Sequence, residues 1–131
     1  MRGRNSFEYA VLRVVPRVER GEFINAGIAL YCRARAFLDA RIALDVPRLR
    51  ALSPDCDDGE TLRYLETFQR ITRGESDAGP IAKLSQRERF HWLISPRSTV
   101  IQTSPTHAGL CLDPAAMLEH LMMTVVRYAA Q

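Results

Sequence analysis

The sequence predicts an α+β fold: an antiparallel sheet of three to four strands that begins with a β-meander and packs against about three to four helices, ending in an amphipathic C-terminal helix. Three observations carry this prediction. Apolar residues dominate with period two between Phe7 and Leu44, the spacing changes to three and four residues after Asp45, and Asp113-Pro114 opens a final apolar stripe.

Residues 7–15 are rich in β-branched and aromatic types, with Phe7, Tyr9, Val11 and Val15 on one face and Ala10, Leu12 and Val14 on the other. Two apolar faces predict an interior strand covered on both sides. Pro16 has no N–H for a ladder and closes it. Residues 17–22 form a polar hairpin connection in which Gly21 can take positive φ. The second strand, 23–32, places Ile24, Ala26, Ile28, Leu30 and Cys32 on one face and Phe23, Asn25, Gly27, Ala29 and Tyr31 on the other. Gly27 in mid-strand marks a bulge or a close backbone approach. Arg33-Ala34-Arg35 then turns into a third strand over 36–44.

Asp45 as N-cap and Pro47 in the first turn predict a short helix over 46–52, ended by Pro54. From Glu60 to Arg73, Leu62, Leu65, Phe68, Ile71 and Thr72 recur at helical spacing, with Gly74 as the C-terminal cap and a loop to Pro80. Ser85-Gln-Arg-Glu88 has the form of a capping box, which favours a helix over 85–94, although Phe90-His-Trp-Leu-Ile94 also suits a strand. Residues 99–103 are β-prone and 104–112 read as irregular, because Pro105 and Gly109 interrupt them. In the last helix Asp113 is the N-cap and Pro114 the first residue; Leu118, Leu121, Met122, Val125, Val126 and Ala129 form its stripe.

The 131 residues, 47% hydrophobic and 25% charged, suit a single domain spanning 1–131 with a core of its own. No apolar run approaches the roughly 20 residues of a membrane span. The basic opening runs into an alternating segment and not into the apolar stretch of a signal peptide. Cys32, Cys56 and Cys111 are odd in number, widely spaced and without C-x-x-C, so a reducing cytoplasm is expected and a disulfide framework is not. His91, His107 and His120 lack zinc-ligand spacing, and no Gly-rich phosphate loop occurs, so neither metal nor cofactor is expected.

Net charge is +3, and of 18 basic residues Lys83 is the one lysine, leaving 17 arginines. Residues 1–54 hold ten arginines against five acids, whereas residues 55–80 hold three against seven. This segregation can present two differently charged zones to a partner. It is also what solvated surface looks like. The hairpin arginines Arg17 and Arg20 are candidate binding residues. Asn25, inside an apolar strand, must be hydrogen-bonded or lie on a functional surface. Arg97-Ser98-Thr99, followed by Ser104 and Thr106, concentrates hydroxyls and a guanidinium around the fourth strand, where they are candidates for holding a phosphate or carboxylate or for turn structure, and His107 lies in the Gly/Pro loop before the last helix, a usual place for binding groups. Cys111 with His107 would make a nucleophilic pair, but a small buried hydrophobe is the commoner use of cysteine. No catalytic constellation emerges.

Two blocks, Tyr9 to Leu30 (YAVLRVVPRVERGEFINAGIAL) and Phe90 to Pro114 (FHWLISPRSTVIQTSPTHAGLCLDP), resemble the bacterial family known as domain of unknown function 3037. The resemblance implies no activity and no catalytic residues. It does imply a HipA-like kinase as a neighbour and candidate protein partner. The expected role is therefore a non-enzymatic interaction or regulatory module. The alternatives are nucleic-acid binding through arginines of the meander, and a small hydrolase or transferase around His107 and Arg97. The sequence also allows a homo-oligomer.

Overall fold

The computed structural model describes residues 3–127, so that Ala129, assigned above to the last apolar stripe, lies outside the described residues. Five strands form one antiparallel sheet: β1 (Asn5–Val14), β2 (Ile24–Cys32), β3 (Phe37–Ile42), β4 (Ile101–Thr103) and β5 (His107–Cys111). The order is β3-β2-β1, with β4 and β5 both pairing along the free edge of β1. Helices α1 (Val46–Leu52), α2 (Asp58–Arg73) and α3 (Gln86–Ile94) accompany one core, and α4 (Pro114–Leu121) the other. The predicted α+β class and opening meander are those of the structure.

The local signals for the helices hold residue by residue. Asp45, Asp57 and Asp113 each accept hydrogen bonds from first-turn amides, and Ser85 and Glu88 complete a reciprocal capping box, which settles 86–94 as a helix. Gly74 closes α2 at φ 71°, a left-handed conformation that favours glycine. The chain after α4 widens into a π-helical turn over Met122–Val126, closed by Arg127 N–H donating to Met122 O at 2.8 Å.

Three expectations need correction. The strict alternation assigned to the second strand fails at a β-bulge: Leu12 pairs with Gly27 but Arg13 with Asn25, leaving Ala26 unpaired. An extra residue reverses the faces. Ile24 and Ala26 therefore join Ala29 and Tyr31 in the core under α1–α3, whereas Ile28, Leu30 and Cys32 pack under α4. Residues 104–112 are not irregular throughout, because 107–111 are β5. Pro105 falls in the interruption between β4 and β5, where no ladder donor is needed, and Gly109 leaves room for the Phe7 ring. On α2, Leu62 is exposed; the buried face runs through Thr61, Leu65, Ile71 and Thr72.

The interruption itself is built around Ser104. Its N–H donates to Val11 O at 2.9 Å, and its Oγ accepts the Val11 N–H at 2.9 Å. A side chain thus replaces the missing ladder acceptor, and the buried amide stays satisfied. At the opposite edge, Gln69 Nε2 of α2 donates to Ala40 O of β3 at 2.8 Å, and Arg73 pairs with Asp39 at 2.7 Å. The β3 edge is thereby partly blunted against further strand addition.

Candidate functional site

The two cores leave recesses at opposite ends of β1. At its C-terminal end, the stretch before β4 stands off from α2, and an apolar groove of about 500 Å³ opens between them. Tyr64 and Phe68 of α2 form one wall, Val100 and Ile101 the other, and Val18 of the hairpin closes the end. Thr67, Ser98 and Thr99 supply hydroxyls at the groove. Val18 and Tyr64 are 42% and 44% exposed, so the groove offers accessible apolar surface and not a sealed void. The Tyr64 phenol donates to Glu60 at 2.9 Å, and that hydrogen bond raises its pKa above the ordinary value. The phenol is thereby tied to the Glu60 carboxylate, which holds the ring in place.

The sequence candidates do not meet in one cavity. Ser98 lies on the groove, Arg97 lines a separate recess beside Thr103 and Ser104, and Asn25 lines a third near the π-helical turn. Asn25 Nδ2 donates to Val125 O at 3.3 Å, which ties β2 to that turn. Arg17 and Arg20 sit at the exposed hairpin tip, facing Glu19 at 3.9 Å and Glu22 at 2.6 Å. His107, exposed on β5, stacks on Tyr9 with ring centroids 5.1 Å apart.

Arg97 has the most contacts of the set. Its Nη1 and Nη2 donate to Leu93 O and Trp92 O, both at 2.8 Å, capping the C-terminus of α3. The same guanidinium lies 5.0 Å from the Phe68 ring and 4.8 Å from the Trp92 ring. Burial lowers its pKa from the usual guanidinium value, yet an arginine stays charged at any physiological pH. Arg97→Ala should cost about 2 kcal/mol in urea unfolding, because two carbonyls lose a charged donor. Arg97→Lys should recover less than half of that, since an ammonium lacks the planar fork. Unchanged stability in both variants would show that the cap contributes nothing to folding.

Cys111 is buried, and burial first, then the neighbouring Cys32 thiol, raises its pKa. That holds the sulfur as an unreactive thiol at neutral pH. His107 lies four residues away on the same strand, about 13 Å along it, so the two do not form a nucleophile–base pair. All three cysteines are free. Among the described residues, no group of three or more His, Cys, Asp or Glu side chains could hold a metal ion, and no helix is long and apolar enough to cross a membrane.

Of the six meander arginines, Arg41 pairs with Glu119 at 3.0 Å and Arg35 donates to Leu112 O at 2.7 Å, in addition to the two hairpin pairs. Arg13 stacks 4.2 Å over the Phe23 ring. Arg33 is different, and lies in a second recess at the N-terminal end of β1, of about 480 Å³, with Arg87 and His91 of α3. The sequence reading weighed His91 only as a metal ligand and did not single out Arg87. Their i, i+4 spacing puts both on one exposed helix face, but nothing local connects that face with Arg33, 54 positions before Arg87.

The family model described as "Protein of unknown function (DUF3037)" covers residues 9–126. No curated protein and no solved structure matches the chain.

Proposed function

The chain belongs to the DUF3037 family of proteins of unknown function, and from that membership we propose that it acts as a non-enzymatic interaction module that docks a protein partner. The observation that carries this reading is the groove between α2 and the β4 approach, with its largely apolar walls and accessible Tyr64 and Val18. An exposed aromatic ring beside an apolar recess, with hydroxyls around it, is an arrangement by which a partner's apolar side chain is anchored at a protein interface. The partner proposed is a HipA-like kinase, which the family resemblance implies.

The test is co-purification and size-exclusion chromatography with the neighbouring kinase at micromolar concentration. A single shared peak is expected. Tyr64→Glu, which places a charge on the apolar wall, should weaken binding by about 30-fold, a loss typical of an interfacial aromatic. Tyr64 is exposed, so the variant should fold normally. Two separate peaks for the unaltered protein would remove the kinase as partner. An unaltered affinity in Tyr64→Glu would remove the groove.

A further inference from the structure

We propose that the recess at the N-terminal end of β1 is a binding site for the phosphate group of a small phosphorylated organic molecule. This site is separate from the groove and does not depend on the docking role. Its parts come from distant segments: Ser6 and Glu8 from β1, Tyr31 from β2, Arg33 from the turn after β2, and Arg87 and His91 from α3. Tyr31 is buried against Phe90, with ring centroids 5.4 Å apart, and gives the recess a fixed floor.

Two features of these basic groups bear on a ligand. Among the described residues, the side chains of Arg33, Arg87 and His91 have neither an ion-pair partner nor a hydrogen-bond partner, whereas Arg20, Arg50, Arg70 and Arg73 each hold a carboxylate. Arg87 also stands in the first turn of α3, where the helix dipole disfavours a cation. The nearest acid in that turn, Glu88, is committed to Ser85, whose N–H and hydroxyl lie 3.2 and 3.0 Å from its Oε1. Arg87 therefore has no carboxylate of its own helix to pair with, and its guanidinium is open to a group that enters the recess.

Two guanidiniums and an imidazole around one opening suit a phosphate monoester better than a carboxylate. The monoester carries nearly two charges on three equivalent oxygens, and a guanidinium fork matches a pair of them. Glu8 repels any anionic group beside it, which favours a phosphate seated on the arginine side, and it can accept a hydrogen bond from a hydroxyl on the organic part. The volume, about 480 Å³, lies in the range of small-molecule sites.

The test is titration of isotope-labelled protein with inorganic phosphate, and then with glycerol 3-phosphate, at constant ionic strength, reading amide shifts and the His91 ring. Saturable shifts are expected at Ser6, Arg33, Arg87 and His91, with glycerol 3-phosphate the tighter of the two. The double variant Arg33→Gln/Arg87→Gln should bind at least about tenfold more weakly, as loss of charged hydrogen bonds implies. Both positions are exposed, so its unfolding midpoint should not move. Glycerate, the matching carboxylate, should bind at least tenfold more weakly than the phosphate ester. Shifts that never saturate, or that survive in the double variant, would overturn the site. Equal binding of glycerate would overturn the phosphate assignment. A phosphoserine peptide or an oligonucleotide that displaces glycerol 3-phosphate with higher affinity would overturn the small-molecule assignment. None of these outcomes bears on whether the kinase co-purifies.

Discussion

Gly27→Ala is expected to destabilise the protein by about 3 kcal/mol or more, although it adds a single methyl group. A Cβ at this position would lie 2.5 Å from the backbone oxygen of Arg41, 3.0 Å from Leu12 Cδ1 and 3.3 Å from Ile42 Cγ2. The nearest of these is main chain of the adjacent strand, so no side-chain rotation relieves it. Leu12 cannot retreat either, because it is wholly buried in the core under α1–α3. The backbone is pinned on both sides of the position: Gly27 pairs with Leu12 of β1 and Ile42 of β3, and Ala43 N–H donates to Ala26 O at 2.8 Å just beyond the bulge. Making room would mean parting β2 from β3, with loss of ladder hydrogen bonds. Against a typical total of roughly 5–15 kcal/mol, the predicted loss is a large fraction of stability. Urea unfolding of Gly27→Ala beside Gly3→Ala checks it, since a Cβ on Gly3 meets nothing within 4 Å. Gly3→Ala should stay within about 0.5 kcal/mol of the unaltered protein. Equal behaviour of the two variants would mean that β2 and β3 are not held as closely as described.

Gly27 also shows where the sequence could be read and where it could not. A glycine in an apolar strand announces a bulge or a close approach, and both occur here, the bulge at Ala26 and the approach at Arg41. It does not announce the consequence: which faces exchange depends on which residue is left unpaired, and the partner strand decides that. Helix ends were legible for the opposite reason. Asp45, Gly74, Ser85, Glu88 and Asp113 act on backbone groups within three or four residues of themselves, so their signals survive without tertiary context. Residues 107–111 were not legible as a strand, because Pro105 and Gly109 act as breakers unless an edge position and the Phe7 ring stand beside them. The sites follow the same division. Asn25 attracts notice as a polar group in an apolar strand and Arg97 as a guanidinium among hydroxyls, and each is absorbed by backbone carbonyls. Arg33, Arg87 and His91 look like ordinary surface in the sequence, and only the packing of α3 beside β2 brings them to one opening.

Phe90→Ala is expected to cost about 3–5 kcal/mol, the range for emptying a fully buried aromatic site. Phe90 is 1% exposed and belongs to the core with Leu12, Leu65 and Leu93, where its ring tilts against Tyr31. Alanine would retain the helical preference of α3, so the loss measures packing and not propensity. The surroundings can collapse only partly, because the sheet on one side and α2 on the other are held by their own ladders and by Gln69 and Arg73. In a chain of this size the melting temperature should fall by about 10 °C or more. Phe90→Leu, which keeps most of the volume, should cost less than half as much. The pair of variants also separates two roles of the ring. Tyr31 rests on Phe90 and floors the recess of Arg33, Arg87 and His91, so phosphate-induced shifts at Ser6 and Arg33 should shrink in folded Phe90→Ala and persist in Phe90→Leu. A stability loss below about 1 kcal/mol in Phe90→Ala would show that the ring does not fill the core. Undiminished phosphate shifts in that variant would show that the floor does not need its support.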